Sequence, residues 1–175
     1  MGSFSKGLDK VTVELKWDPS PADAPDHDLD LVAATYPADN PYGDPAYLVH
    51  FNSRSPDGTI TLDRDSRTGQ GLGTDESMTL ELARLAPTYG RVVVGVAIQQ
   101  NRGRVTFGEV ANAHVRVAEG YTELSRNDLG QVPDATAVTV AEFTRGDDGN
   151  WSFRRLQHGF DTDPNGFTRR MGQRY

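Results

Sequence analysis

The sequence predicts an all-β sandwich of two mostly antiparallel sheets. Short apolar runs, alternating with polar residues or rich in β-branched ones, recur along almost the whole chain. Clusters of Pro, Gly, Asp and Asn separate them, and no long segment repeats apolar residues at helical spacing. Many short strands spaced by turns bury their apolar faces by stacking two sheets or closing a barrel.

Taken in order, Val11, Val13, Leu15 and Trp17 alternate with Thr12, Glu14 and Lys16, which describes a half-buried strand ended by Asp18-Pro19-Ser20-Pro21. The run Leu31-Val32-Ala33-Ala34-Thr35-Tyr36 carries a strand over 28–36, and another is predicted over 47–52. Ser55-Pro56-Asp57-Gly58, with Pro second and Gly fourth, is a β-turn. Strands follow at 59–62, 77–83, 91–99, 112–118, 121–125 and 136–145. Asp147-Asp148-Gly149-Asn150 then closes a hairpin onto a strand over 151–156, where Trp151 and Phe153 alternate with polar neighbours as core residues do. Segments 75–85 and 166–175 have room for a helical turn or two. The sandwich is expected over 1–158. The polar stretch 159–175, with Arg169, Arg170 and Arg174, is expected as a loosely docked tail or a short helix.

At 175 residues, one domain with one core is the expectation. A composition 36% hydrophobic and 25% charged is that of a globular chain, and a formal net charge of -7 argues against non-specific nucleic-acid binding. The absence of cysteine excludes disulfides and thiolate zinc sites. With no apolar leader after Met1 and no run of about 18 apolar residues, a cytoplasmic chain without a transmembrane segment is expected.

The acidic residues carry the chemistry. Asp26-His27-Asp28-Leu29-Asp30 is followed by Asn52, by Asp65, and by Asp75-Glu76 after a loop containing Gly69, Gly71 and Gly73. On a strand, Asp26, Asp28 and Asp30 would stand in one row roughly 6 to 7 Å apart. Like charges so placed are unfavourable unless a cation sits among them. Hard oxygen donors beside a glycine-rich loop suit calcium, which takes about 6 to 8 oxygens and accepts backbone carbonyls. An EF-hand does not fit, because its sixth and twelfth positions would be Leu31 and Pro37 where Gly and Glu are required. The competing reading makes Asp28 and Asp30 a solvated strand face and the glycine stretch a plain loop.

The chain also resembles the TerD family of tellurium-resistance and general-stress proteins. The resemblance rests on Val11-Thr12-Val13-Glu14-Leu15-Lys16-Trp17-Asp18, the Asp26–Asp30 row, Ser55-Pro56-Asp57-Gly58, Thr68-Gly69-Gln70-Gly71 running to Asp75-Glu76, Phe107-Gly108-Glu109-Val110-Ala111-Asn112-Ala113-His114-Val115-Arg116-Val117 and Trp151-Ser152-Phe153-Arg154. It implies a calcium-binding β-sandwich of cytoplasmic stress defence with no established catalytic activity, whose partners are calcium and other stress-response proteins. It places the calcium ligands on Asp26, Asp28, Asp30, Asp65, Asp75 and Glu76, helped by backbone oxygens of Gly69 and Gly71. The chain departs from the pattern at Leu72 and Thr74, where acidic residues are usual, and at Asn52-Ser53, where paired asparagines are usual. Fewer carboxylates weaken calcium binding, so one tight site and one weak or lost site are expected.

No catalytic set emerges. His27, His50, His114 and His158 are scattered without metal-ligand or nucleophile spacing, and there is no Gly-x-Ser-x-Gly or phosphate-cradling Gly-Lys-Ser/Thr sequence. The alternatives to a calcium module are an acidic protein-interaction module with incidental metal binding and, behind it, a metal-dependent hydrolase.

Overall fold

The computed structural model describes residues 7–51, 53–64, 75–100 and 103–174. Ten strands and one helix form in them: β1 Lys10–Lys16, β2 Leu29–Pro37, β3 Tyr47–Val49, β4 Ile60–Arg64, β5 Glu76–Glu81, β6 Tyr89–Ile98, β7 His114–Glu119, β8 Thr122–Asp128, β9 Ala137–Arg145, β10 Trp151–Phe160 and α1 Pro164–Arg170. Two open five-stranded sheets run β4-β5-β1-β7-β8 and β10-β9-β6-β2-β3, antiparallel throughout. The predicted sandwich is therefore the fold.

Each sequence pattern finds its physical cause in the layering. In β1, Val11, Val13 and Leu15 are buried while Thr12, Glu14 and Lys16 are not, because one face of the first sheet meets the core and the other meets solvent. Facing them are Leu29, Leu31 and Ala33 of β2 and Val92, Val94 and Val96 of β6. β2 and β6 are buried along almost their whole length because the second sheet is covered on both faces. Its outer face presents Val32, Ala34, Tyr36, Val93 and Ala97 to a second cluster completed by Phe160, Phe167 and Met171. The stretch from Gly159, expected as a loose tail or a short helix, thus finishes β10 and continues into α1, with Phe167 and Met171 fully buried.

Two departures from expectation are local. The strand expected over 47–52 stops at Val49, because His50 and Ser53 exchange backbone hydrogen bonds of 2.9 and 3.1 Å and fold the chain back on itself. The strand expected over 121–125 runs on to Asp128, where the Asp128 carboxylate caps a 3-10 turn by accepting from the Gly130 N–H. The Ser55–Gly58 turn forms as read: Asp57 Oδ1 accepts from the Thr59 amide at 3.1 Å and its hydroxyl at 2.7 Å, and Gly58 takes the positive φ of 73° that favours glycine. No helix among the described residues is long and apolar enough to cross a membrane.

Candidate metal site

The start of β2 and the start of β5 lie on opposite sheets and meet at one edge of the sandwich. In β2 the backbone groups of residues 28 and 30 point toward β6: the Gln99 N–H donates to the Asp28 carbonyl at 2.9 Å, and Asp30 pairs with Ala97. Leu31 therefore points its N–H the other way, toward β3. β3 pairs only as far as Ala33 opposite Val49, so among the described residues no strand reaches Leu31 on that side. Glu76 supplies the acceptor instead, its Oε1 taking the Leu31 N–H at 2.6 Å from the facing sheet.

This bond sets two buried carboxylates on either side of one residue. Glu76 is 0% exposed and, in line with Met78 and Leu80, points into the space between the sheets. Asp30 is 3% exposed and shares the outer face of its sheet with Val32; its Oδ2 accepts from Gln99 Nε2 at 2.6 Å. Asp28 is half-buried just before β2, and Asp26 is exposed. The predicted row of three on one strand is thus corrected. Only Asp30 lies within β2, because the neighbouring β6 ends at Ile98, opposite Leu29, and gives the chain before it no strand to follow.

Asp75 is 1% exposed and held firmly. Its Oδ2 accepts from the Trp17 N–H at 2.9 Å and lies 3.2 Å from Lys16 Nζ, while its own N–H donates to the Leu15 carbonyl at 3.0 Å. The Trp17 indole N–H reaches the His27 carbonyl at 3.1 Å, so the residue that follows β1 pins the chain just ahead of Asp28. Asn52, Asp65, Gly69 and Gly71 lie outside the described residues. Among the described residues no group of three or more His, Cys, Asp or Glu side chains comes together that could hold a metal ion. The described candidates offer carboxylate oxygens only, the donor chemistry of a hard cation such as calcium.

Sequence reasoning missed two residues of this edge. Gln99 orients Asp30 and fixes the backbone of Asp28; its only signal was a polar pair, Gln99-Gln100, ending an apolar strand. Trp17, read simply as core, also braces Asp75 and the 27 carbonyl through both of its N–H groups. Of the histidines, His50 is half-buried against Phe51, with burial pushing its pKa below the usual imidazole value, and His114 Nδ1 lies 2.9 Å from the Asn112 carbonyl.

Comparison with known proteins places these features in a wider set. The family model described as TerD domain matches residues 2–170. The chain is 32% identical over 165 residues to tellurium resistance protein TerD of Serratia marcescens, covering 91% of this chain and 85% of that protein. It is 30% identical over 161 residues to general stress protein 16U of Bacillus subtilis, covering 88% and 82%. A crystal structure of a homologue of telluride resistance protein (TerD) from Streptomyces coelicolor superposes with a TM-score of 0.94 at 56% identity, over 97% of this chain and all of that one.

Proposed function

The chain belongs to the TerD domain family of tellurium-resistance and general-stress proteins, and on that premise we propose that it is a calcium-binding module of the cytoplasmic stress response that works by binding, not by catalysis. The observation that carries this reading is the placing of Asp30 and Glu76, both buried, on either side of the Leu31 amide, with Asp28 next to one and Asp75 next to the other. Burial disfavours a carboxylate's charged form, and a divalent cation among several of them restores it.

Since no three described carboxylates converge, Asp26, Asp28, Asp30, Asp75 and Glu76 would each lend oxygens to an ion completed by Asn52, Asp65 and the Gly69 and Gly71 carbonyls, in one or two sites. Asp75 is already tied to Lys16 and Trp17, which makes it the least available of the set. A bound calcium would supply charge neutralisation and join the two sheets at this edge. The acidic surface remaining around it, part of a formal net charge of -7, suits basic faces on other stress-response proteins.

A calorimetric titration of chelator-treated protein tests the reading. Calcium should bind with saturation and more tightly than magnesium, because loop carbonyls and spaced carboxylates adapt to a large ion, whereas magnesium demands compact octahedral geometry at about 2.0 to 2.1 Å. No heat with calcium, or equal affinities for the two ions, would contradict it.

A further inference from the structure

We propose that the cleft between α1 and the β2–β6 pair is a binding site for a small organic cation, an alkylammonium or guanidinium whose charged end meets Asp30. The cleft encloses about 290 Å³, at the small end of the range for ligand pockets. At its inner end stands the Asp30 carboxylate, 3% exposed and held in position by Gln99 before any ligand arrives. A second carboxylate, Asp163, stands exposed at the α1 side, and no Lys or Arg is found among the described lining residues. Two carboxylates without Lys or Arg favour a cation over an anion.

The remaining walls decide between a bare metal ion and an organic cation. Val32 and Ala97 form an apolar floor, and the Phe51 ring, 50% exposed and 5.5 Å from the His50 ring, stands at the rim. The lining sets methyl groups and an aromatic ring beside the polar groups of Gln99, Asn165 and Thr168, so a cation with an apolar body gains contacts here that calcium shared by Asp30 at the sandwich edge does not use. An occupant with a positive end and an apolar body matches the Asp30 carboxylate with its charge and Val32, Ala97 and the Phe51 ring with its chain. The preset Asp30 carboxylate lowers the ordering cost of binding.

The test uses the full chain, chelator-treated so that calcium plays no part, titrated with butylammonium chloride and with 1-butanol as the uncharged control, and followed by amide NMR signals. Butylammonium should shift Val32, Ala97, Gln99 and Thr168 saturably, and 1-butanol should leave them in place. Asp163→Asn keeps a good N-cap for α1, and hence its fold, while removing one charge. It should weaken butylammonium about fivefold. Thr168→Phe, from the half-buried side of α1, fills the cleft without a charge change and should abolish the shifts. The proposal is overturned if butylammonium gives no saturable shift, if 1-butanol gives the same one, if the shifts centre elsewhere, or if either variant binds as the parent does.

Discussion

Glu76 of one sheet accepts the backbone N–H of Leu31 in the other at 2.6 Å, a carboxylate standing where the next strand would have been. Removing it strands a buried donor. Glu76→Ala should therefore cost about 1–3 kcal/mol of stability even in excess chelator. Glu76→Gln retains an acceptor oxygen and should cost less in chelator, while losing much of the stabilisation that calcium gives the parent. Denaturant unfolding of both variants, with and without calcium, separates the two roles; equal losses for Gln and Ala in chelator would mean that the hydrogen bond matters little.

Asp28 sits half-buried beside Asp30, and its backbone carbonyl, bonded by the Gln99 N–H, joins it to the chain after β6. Asp28→Asn keeps shape and an oxygen and should weaken calcium at least tenfold, about 1.4 kcal/mol. Asp57→Asn is the control. Burial raises the Asp57 pKa, but the hydroxyl and amide of Thr59 outweigh this and hold it below the ordinary carboxylate value, which marks Asp57 as a turn residue. Loss of calcium heat in Asp57→Asn with Asp28→Asn unaffected would move the ion to the turn and overturn the ligand assignment.

What the sequence disclosed depends on how local the cause was. Alternation in β1 and apolar stretches in β2 and β6 made strand existence legible, and in β1 the facing as well. Strand partners were not. β1 lies between β5 and β7, pairing Val13 with both Met78 and Val117, and nothing in a period-two pattern names a neighbour a hundred residues away. The acidic edge was half legible: Asp28, Asp30, Asp75 and Glu76 announce themselves by type. Their separation onto an outer face, an inner face and a Lys16 pair follows from sheet register, which sequence spacing does not contain.

Arg91 and Glu142 form a buried ion pair at 2.8 Å across β6 and β9, and Arg91 also donates to the carbonyls of Pro41 at 3.0 Å and Gly172 at 2.8 Å. It ties the chain end to the sheet. Arg91→Met should cost about 3 kcal/mol, the low end for breaking a buried pair, because Arg154 also reaches Glu142 at 3.0 Å. Replacing both partners with Arg91→Met and Glu142→Leu should recover most of that loss. Urea midpoints measure both; a double variant no better than the single one would locate the loss in the Gly172 and Pro41 contacts and not in the stranded charge.

Gly95 lies in β6 directly beneath α1, and a methyl group there would stand 2.5 Å from the Phe167 ring and 2.6 Å from the Val138 carbonyl. Something must move. Gly95→Ala should destabilise the protein by about 1–3 kcal/mol, the usual range for overpacking a filled core. The helix should yield before the strand, since β6 is locked between β2 and β9 along its length whereas the seven-residue α1 is held mainly by Phe167 and Met171. Amide exchange should therefore quicken at Phe167 and Met171, whose N–H groups bond the Asp163 and Phe167 carbonyls, while the centre of β6 stays protected. Shrinking the ring with Phe167→Leu in the same chain should restore part of the loss, because one of the two clashes is relieved. If exchange instead quickened in β6 and Phe167→Leu gave no recovery, the Val138 carbonyl would be the group taking the strain, and α1 would be the more firmly seated of the two elements.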